Sequence, residues 1–459
     1  MSELLDADAL HAIEVIATWC ASPHEFSATA RLSAEQAITD TVGCMLAGAT
    51  DGATKAVKAA FSGEIGPHGA AGIVRGGRAA ASVAALINGT AAHALDFDDN
   101  FHGATTHASA VLVPALLAVA ENVGATGEAL IQAYLVGLEA QAAVGRGVNP
   151  SHYTAGWHST STVGCIGTAA ATAWLMGADR SGIAAAMSIA TSMASGVKGQ
   201  FGTPVKPFHA GLAARNAVEA AQLSAAGLVG RTDILESSQG FLALYGGPNP
   251  AGWSQLAIGP VSIVETIGLA TKRHPCCGST HRAIDMVLEL KAEHGFRAED
   301  VAGIDVLVAI AHARNLAFPS PRDEMEARFS MNYCLAVALL CNRVTLNDFT
   351  PAAVARPDVR ALLPLTRMNT YSEDYERATP GRLPHELTLR LRDGTELRVS
   401  RLAAKGTLAF PLDEADRRIK FLDCSAKAIS LPSAEQLLSQ MSHLQLLDRV
   451  NLFQGFDWT

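Results

Sequence analysis

Aromatic residues are scarce in this chain of 459 residues, with Phe 15, Tyr 6 and Trp 5. An interior of that size must be filled chiefly by aliphatic and small side chains. Charge is sparse too: 17% of residues are Asp, Glu, Lys or Arg, against 49% hydrophobic, which excludes a disordered scaffold. The balance is acidic, because 35 Lys and Arg against 44 Asp and Glu leave a formal charge of −9. Nucleic acid and anionic membranes repel such a chain on average, so neither is an expected partner. An anionic metabolite stays admissible, since a few cations focused in a pocket override the global charge.

Further absences narrow the chemistry. No CxxC spacing repeats: Cys20, Cys44, Cys165, Cys334, Cys341 and Cys424 are scattered, and Cys276 and Cys277 are adjacent. This pattern predicts reduced thiols, with no disulfide framework, zinc site or iron–sulfur cluster. The opening MSELLDADALHAIEVIATW is acidic and lacks a basic leader region, so no secretory signal is expected. The most apolar small-residue stretch, Ser161–Gly177, is short and rich in Ser, Thr and Gly, which favours a buried helix over a membrane span. The expected location is the cytoplasm. There is no GxxxxGK[ST] loop for a nucleotide, and no internal repeat or low-complexity tract.

What is present is helical texture. The 40 glycines and abundant alanines suit closely packed helices. Apolar residues return every three or four positions over Ala9–Trp19, Ala34–Leu46, Ala80–His93, Ser109–Val123 and Gly127–Val144. The pattern continues over Thr162–Met176, Ser181–Ser195 and Ala210–Ala226. Beyond Gly268 it changes: Val301–Val308 alternates as a strand, and LTLRLRDGTELRV over Leu387–Val399 predicts a hairpin turning at Asp393-Gly394. Helical signals at Thr280–Ala292 and Asn332–Leu340 accompany these strands, and Ser433–Leu447 returns to helix. The expected fold is mainly α: a large all-helical domain over 1–265, rejoined by 404–459, with a smaller α+β lid over 266–403.

Four polar clusters interrupt the apolar runs. The first is HALDFDDNFH (93–102) followed by His107. Continued as a helix, it would set His93, Asp96 and Asn100 on neighbouring turns. Such a set suits proton transfer, metal binding, or an ordinary solvated helix end. In Gly156-Trp157-His158-Ser159-Thr160, Ser159 or Thr160 is placed to cap a helix, with His158 beside its exposed amides or satisfying buried polar groups. In GQFGTPVKPFH (199–209), two prolines flank Lys206 and suit aiming an ammonium at a carboxylate, although a surface turn reads the same way. In KRHPCCGSTH (272–281), cations stand beside the cysteine pair, which reads as structural before it reads as nucleophile or metal ligand.

These clusters, with RFSMNYCLAVALL and the closing KGTLAFPLDEADRRIKF, occur in the order of the MmgE/PrpD family, which the chain resembles over roughly residues 10–430. The family's reactions include dehydration of 2-methylcitrate, decarboxylation of cis-aconitate and epimerisation of iminodisuccinate. The resemblance implies a homodimer acting on a small polycarboxylate; no metal, nicotinamide, flavin or pyridoxal cofactor is expected, because the chain shows no coherent metal-spacing motif and the loop around Lys206 has no other support for cofactor attachment. Asp96, His107, His158, Lys206, Lys272 and Tyr333 match its catalytic positions, and Asn100, Arg273, Cys277 and His281 are expected at the substrate. Lysines would neutralise carboxylates while imidazole or phenol moves protons. Three departures bear on the reaction. Asn100 stands where many members carry Thr, and the passage to His107 is one residue longer than in the animal decarboxylase pattern. Cys277 stands where that decarboxylase carries a histidine, with His281 four residues on. The expected activity is a lyase dehydrating a hydroxylated di- or tricarboxylate. The alternatives are an epimerase, a cis-aconitate-type decarboxylase and a non-enzymatic carboxylate-binding protein.

Overall fold

The computed structural model describes residues 11–379 and 381–458. The acidic opening segment, including the first two residues of the helix expected from Ala9, lies outside the described residues. Contacts divide the chain into two compact units. The first comprises Met1–Ala94, Asp98–Ala270 and Lys420–Thr459; the second comprises Leu95–Phe97 and Thr271–Ile419.

The first unit is a helical body. Ser27, Asp51, Thr126 and Asp179 each start a helix by accepting a backbone N–H through the side chain. Its core is filled by alanine and aliphatic residues, and small residues set how closely the helices approach. Where Ala81–His93 crosses Val205–Ala225, a Cβ on Gly211 would stand 2.3 Å from the Leu86 carbonyl oxygen. Where Gly127–Val148 meets Ser159–Leu175, a Cβ on Gly167 would stand 2.6 Å from the Gln141 backbone. These two crossings place the ends of the helices that carry His93, Lys206 and His158. A short antiparallel pair, β1 (Ala71–Gly72) with β2 (Arg78–Ala79), borders the bundle. The C-terminal segment returns to this unit: the buried Lys420 ammonium lies 2.8 Å from the half-buried Asp40 carboxylate. The amide of Gly127 also donates to the carbonyl of Leu447. No helix among the described residues is long and apolar enough to cross a membrane.

The second unit is α+β. Its sheet runs β4–β3–β5–β6, from β3 (Val301–Val308), β4 (Thr366–Thr370), β5 (His385–Leu391) and β6 (Glu396–Arg401). β3 pairs antiparallel with β5 and parallel with β4, so helical segments between Ile310 and Leu362 provide the crossover a parallel neighbour needs. The alternating faces of β3 and β5 bury Ile304, Val306, Val308, Leu387 and Leu389 in a core shared with the helices Gly278–His294 and Met331–Leu340. β5 and β6 are joined at Asp393-Gly394, where Gly394 takes φ +92°.

Candidate active site

The helix carrying His93 ends there, and the chain does not continue as the helix that would have aligned His93, Asp96 and Asn100. Asp96 has φ +53°, a left-handed conformation that stops a right-handed helix and that aspartate tolerates better than most residues. The loop that follows folds back through a short bridge between Phe101 and Thr106, and Asn100 pairs through its backbone with Ala270.

In the first unit this loop sets Asp98 between two imidazoles. His93 Nδ1 lies 2.9 Å from Asp98 Oδ2, and His107 Nδ1 lies 3.1 Å from the same oxygen. His107 Nδ1 also lies 2.8 Å from the Asp99 carbonyl. The neighbours of these two nitrogens are acceptors, so both rings carry hydrogen on Nδ1, and the lone pair of a neutral ring falls at Nε2. The His107 backbone is fixed as well, its amide donating to Thr160 Oγ1. Burial keeps His93 neutral by lowering it to about 4, against the opposing pull of Asp98. Burial alone would raise Asp98, but His93 and His107 outweigh it and hold the carboxyl well below the usual range.

His158 stands at the N-cap of the helix Ser159–Leu175. Ser159 and Thr160 do not cap that helix; their hydroxyls serve Asn149 and the His107 amide. The His158 ring stacks near His93 at 5.8 Å, lies edge-on to Phe201 at 4.9 Å, and places Nδ1 3.2 Å from His209 Nδ1. Burial first, then His93 and Lys206, push it well below the ordinary histidine value, so it too is neutral. Its Nε2 and that of His93 are buried without a hydrogen-bond partner among the described residues. Lys206 lies in the first turn of Val205–Ala225, not in the loop before it, and is only 5% exposed. Its ammonium sits 5.4 Å from the Phe201 ring, and its charge lowers His93, His158 and His209 alike.

His93, Asp98 and His107 also bring three ligand atoms within 4.8 Å of one another, close enough to share a cation. The Asp99 carbonyl beside His107 Nδ1 argues for N–H at that atom, whereas a metal would need its lone pair. Direct hydrogen bonding therefore accounts for the cluster.

The other expected residues lie in the second unit. Lys272 is buried, with its ammonium 2.6 Å from the Asp96 carbonyl and 3.0 Å from its carboxylate. Cys277 precedes the helix Gly278–His294, and burial and then Asp96 raise its thiol above the ordinary value, keeping it protonated. Arg273 meets Asp285 at 3.3 Å and Asp416 at 3.5 Å. His281 Nε2 lies 3.2 Å from the Cys276 carbonyl, and its ring packs against His274. Tyr333 is fully buried in the sheet-side core, and its hydroxyl donates to the Asp348 carbonyl. Asp98 as the hub, and His209 as the neighbour of His158, were not singled out by sequence reasoning. The five-residue step from His93 to Asp98 matches no helical face, and only the break at Asp96 makes it meaningful.

Comparison with known proteins also divides the chain in two, with the second match running past Ile419 into the returning segment of the first unit. The MmgE/PrpD N-terminal domain matches residues 14–254, and the MmgE/PrpD C-terminal domain matches residues 274–445. Cis-aconitate decarboxylase of Homo sapiens is 30% identical over 380 residues, covering 80% of this chain and 77% of that protein. The Mus musculus enzyme is 30% identical over 379 residues, covering 80% and 76%. Cis-aconitate decarboxylase of Aspergillus terreus is 26% identical over 339 residues, covering 69% of each chain.

Proposed function

Because the chain belongs to the MmgE/PrpD family, we propose that it is a cofactor-independent lyase dehydrating a hydroxylated di- or tricarboxylate similar to 2-methylcitrate. The observation that carries this reading is His107, whose Nδ1 faces two acceptors, so that in the neutral ring Nε2 is the atom that can act as a base. In the proposed reaction His107 Nε2 takes a proton from the carbon beside a carboxylate, and the imidazolium formed is stabilised by Asp98. Lys206 neutralises that carboxylate and the charge that develops on it. The C–O bond then breaks, and the departing hydroxyl takes a proton from the imidazolium. Water is lost and His107 returns to its neutral state. His158 is a second base of the same kind, and the two are separated by single substitutions. In the second unit, the Lys272–Asp96 pair is proposed as a further carboxylate-binding element. Tyr333 has no step in this reading, because its hydroxyl is already engaged with Asp348.

Dehydration is favoured because the buried imidazoles His93 and His158 are neutral, which suits taking a proton from carbon. Decarboxylation must instead deliver a proton to carbon, and the Cys277 thiol, raised by burial and Asp96, is a poor donor. The second reading is decarboxylation of cis-aconitate, favoured by the 30% identity to enzymes of that name. Incubation in deuterated water with 2-methylcitrate, cis-aconitate and iminodisuccinate separately, followed by product mass and chirality, decides between them. An alkene formed with loss of water supports dehydration. Carbon dioxide from cis-aconitate supports the second reading, deuterium with inversion and no loss of water supports epimerisation, and saturable binding without turnover sinks the enzyme assignment. Lys206→Ala should lower turnover by about 10²-fold or more in any of these reactions.

A further inference from the structure

The second unit buries a positive charge that none of its carboxylates answers. Arg282, on the second turn of Gly278–His294, is 1% exposed. Its Nη1 donates to the Leu383 carbonyl at 2.8 Å, and its Nη2 donates to His312 Nε2 at 2.8 Å. A ring that accepts at Nε2 carries its hydrogen on Nδ1, and that nitrogen lies 2.9 Å from Ser279 Oγ. His312 is therefore neutral, and both partners of the guanidinium are uncharged dipoles. No ion pair to Arg282 exists among the described residues. The acids around this group are engaged elsewhere: Asp285, one turn on from Arg282, meets Arg273, His274 and Arg401, while Glu386 accepts from the Tyr371 hydroxyl and Glu376 from the Ile310 amide.

Beside this cation stands His385, at the start of β5 and fully buried. Its ring meets His312 edge-on at 5.0 Å, and both its nitrogens are buried with no hydrogen-bond partner among the described residues. Burial first, then Arg282, His312 and Arg382, lower it to about 2. Arg282 is itself lowered to about 10 by burial and then by Arg382. Arg382, whose charge acts on both, is itself exposed. A desolvated guanidinium and an imidazole whose nitrogens lack partners are costly to bury, and an anion accepting from the guanidinium and from the single imidazole N–H lowers both costs. The planar fork of arginine matches two oxygens of a carboxylate or phosphate.

We propose that Arg282, His312 and His385 form a binding site for a small oxyanion, the carboxylate or phosphate group of a metabolite, separate from the residues of the proposed reaction. The test uses the full chain titrated with inorganic phosphate and, in parallel, with succinate, each to about 50 mM. The readouts are the His385 ring signals in an imidazole-labelled sample, assigned by their loss in His385→Phe, and the rise in melting temperature. The expected result is a saturable shift of the His385 signals by at least one anion, persisting in Lys206→Ala and weakened about tenfold or more in Arg282→Gln. Response to phosphate alone assigns a phosphorylated ligand, and response to succinate alone assigns a carboxylate. Should Arg282→Gln fail to fold, His385→Phe keeps the test alive, because it must abolish the anion-dependent rise in melting temperature. No saturable shift with either anion overturns the proposal. So does a response lost in Lys206→Ala, which would assign it to the proposed catalytic residues, or one undiminished in the folded Arg282 or His385 variants. None of these outcomes depends on turnover, so the site and the proposed reaction can fail independently.

Discussion

A carboxylate that accepts from two imidazoles fixes the tautomer of each, so an amide in its place moves protons without emptying the space. Asp98→Asn would turn a donor toward one Nδ1 and drive that ring's hydrogen to Nε2, where the base is needed. We expect kcat to fall about 10³-fold with little change in KM, checked by steady-state kinetics on whichever of the three acids the deuterated-water assay shows to be turned over. The neighbouring Asp99 gives a prediction in pH. Its carboxyl is raised to about 7 by burial, against a pull from Ser109 and with Asp98 and Asp40 adding to the rise. The folded state therefore holds a proton that the unfolded chain releases near its ordinary value of 3.8. Stability from this group is full below that value and is lost as pH rises through about 7. Buried His93 works oppositely between about 4 and its ordinary 6.5, adding stability as pH rises. Above 6.5 only the Asp99 slope remains of the two, so Asp99→Asn should flatten the decline of melting temperature between about pH 6.5 and 7.5. A parallel decline in the variant would refute this assignment. The hydrogen-bonded reading of His93, Asp98 and His107 is tested by rigorous chelation, which should leave activity unchanged; loss restored by one divalent metal would overturn it.

At the scale of elements, the helix crossings depend on the absence of single carbons. A methyl at Gly211 would stand 2.3 Å from a backbone oxygen, which cannot swing away as a side chain can, so the helices must part. Gly211→Ala should destabilise the protein by about 1–3 kcal/mol in denaturant titration, and should lower activity by shifting the helix that bears Lys206. Such helices were legible in the sequence because their periodicity is strong: Ser109–Val123 and the strand Val301–Val308 have the expected bounds. The hairpin at Asp393-Gly394 was announced by its turn residues. The strand Thr366–Thr370 was not, because TRMNT carries no alternating apolar pattern and acquires its place by pairing with β3. In the site, the residue types were legible and their linkage was not. Lys206, His107 and His158 stand out chemically, whereas the role of Asp98 depends on a left-handed Asp96 that local propensity does not require.

For the whole molecule, the homodimer expected from the family resemblance should give a solution mass near twice 47.8 kDa across a range of concentrations. A mass near 47.8 kDa throughout would refute it. The Lys420–Asp40 pair also has a measurable weight. Lys420→Met leaves the half-buried Asp40 carboxyl without that ammonium, and should cost about 1–3 kcal/mol in denaturant titration. The same pair bears on the order in which the protein is made. Asp40 leaves the ribosome 380 residues before the lysine that neutralises it, and Gly127 waits for Leu447 in the same way. Chains elongate at about 5–20 residues per second, so the helical body spends on the order of tens of seconds with its helices synthesised and its closing segment not yet made. The second unit, apart from Leu95–Phe97, is continuous from Thr271 to Ile419 and is complete before that segment emerges. The unit begun first is thus the last that can finish. During that interval the nascent chain presents the apolar helical surface against which Phe421, Ile429, Leu437 and Leu444 later pack, which makes it a natural client for ribosome-associated chaperones.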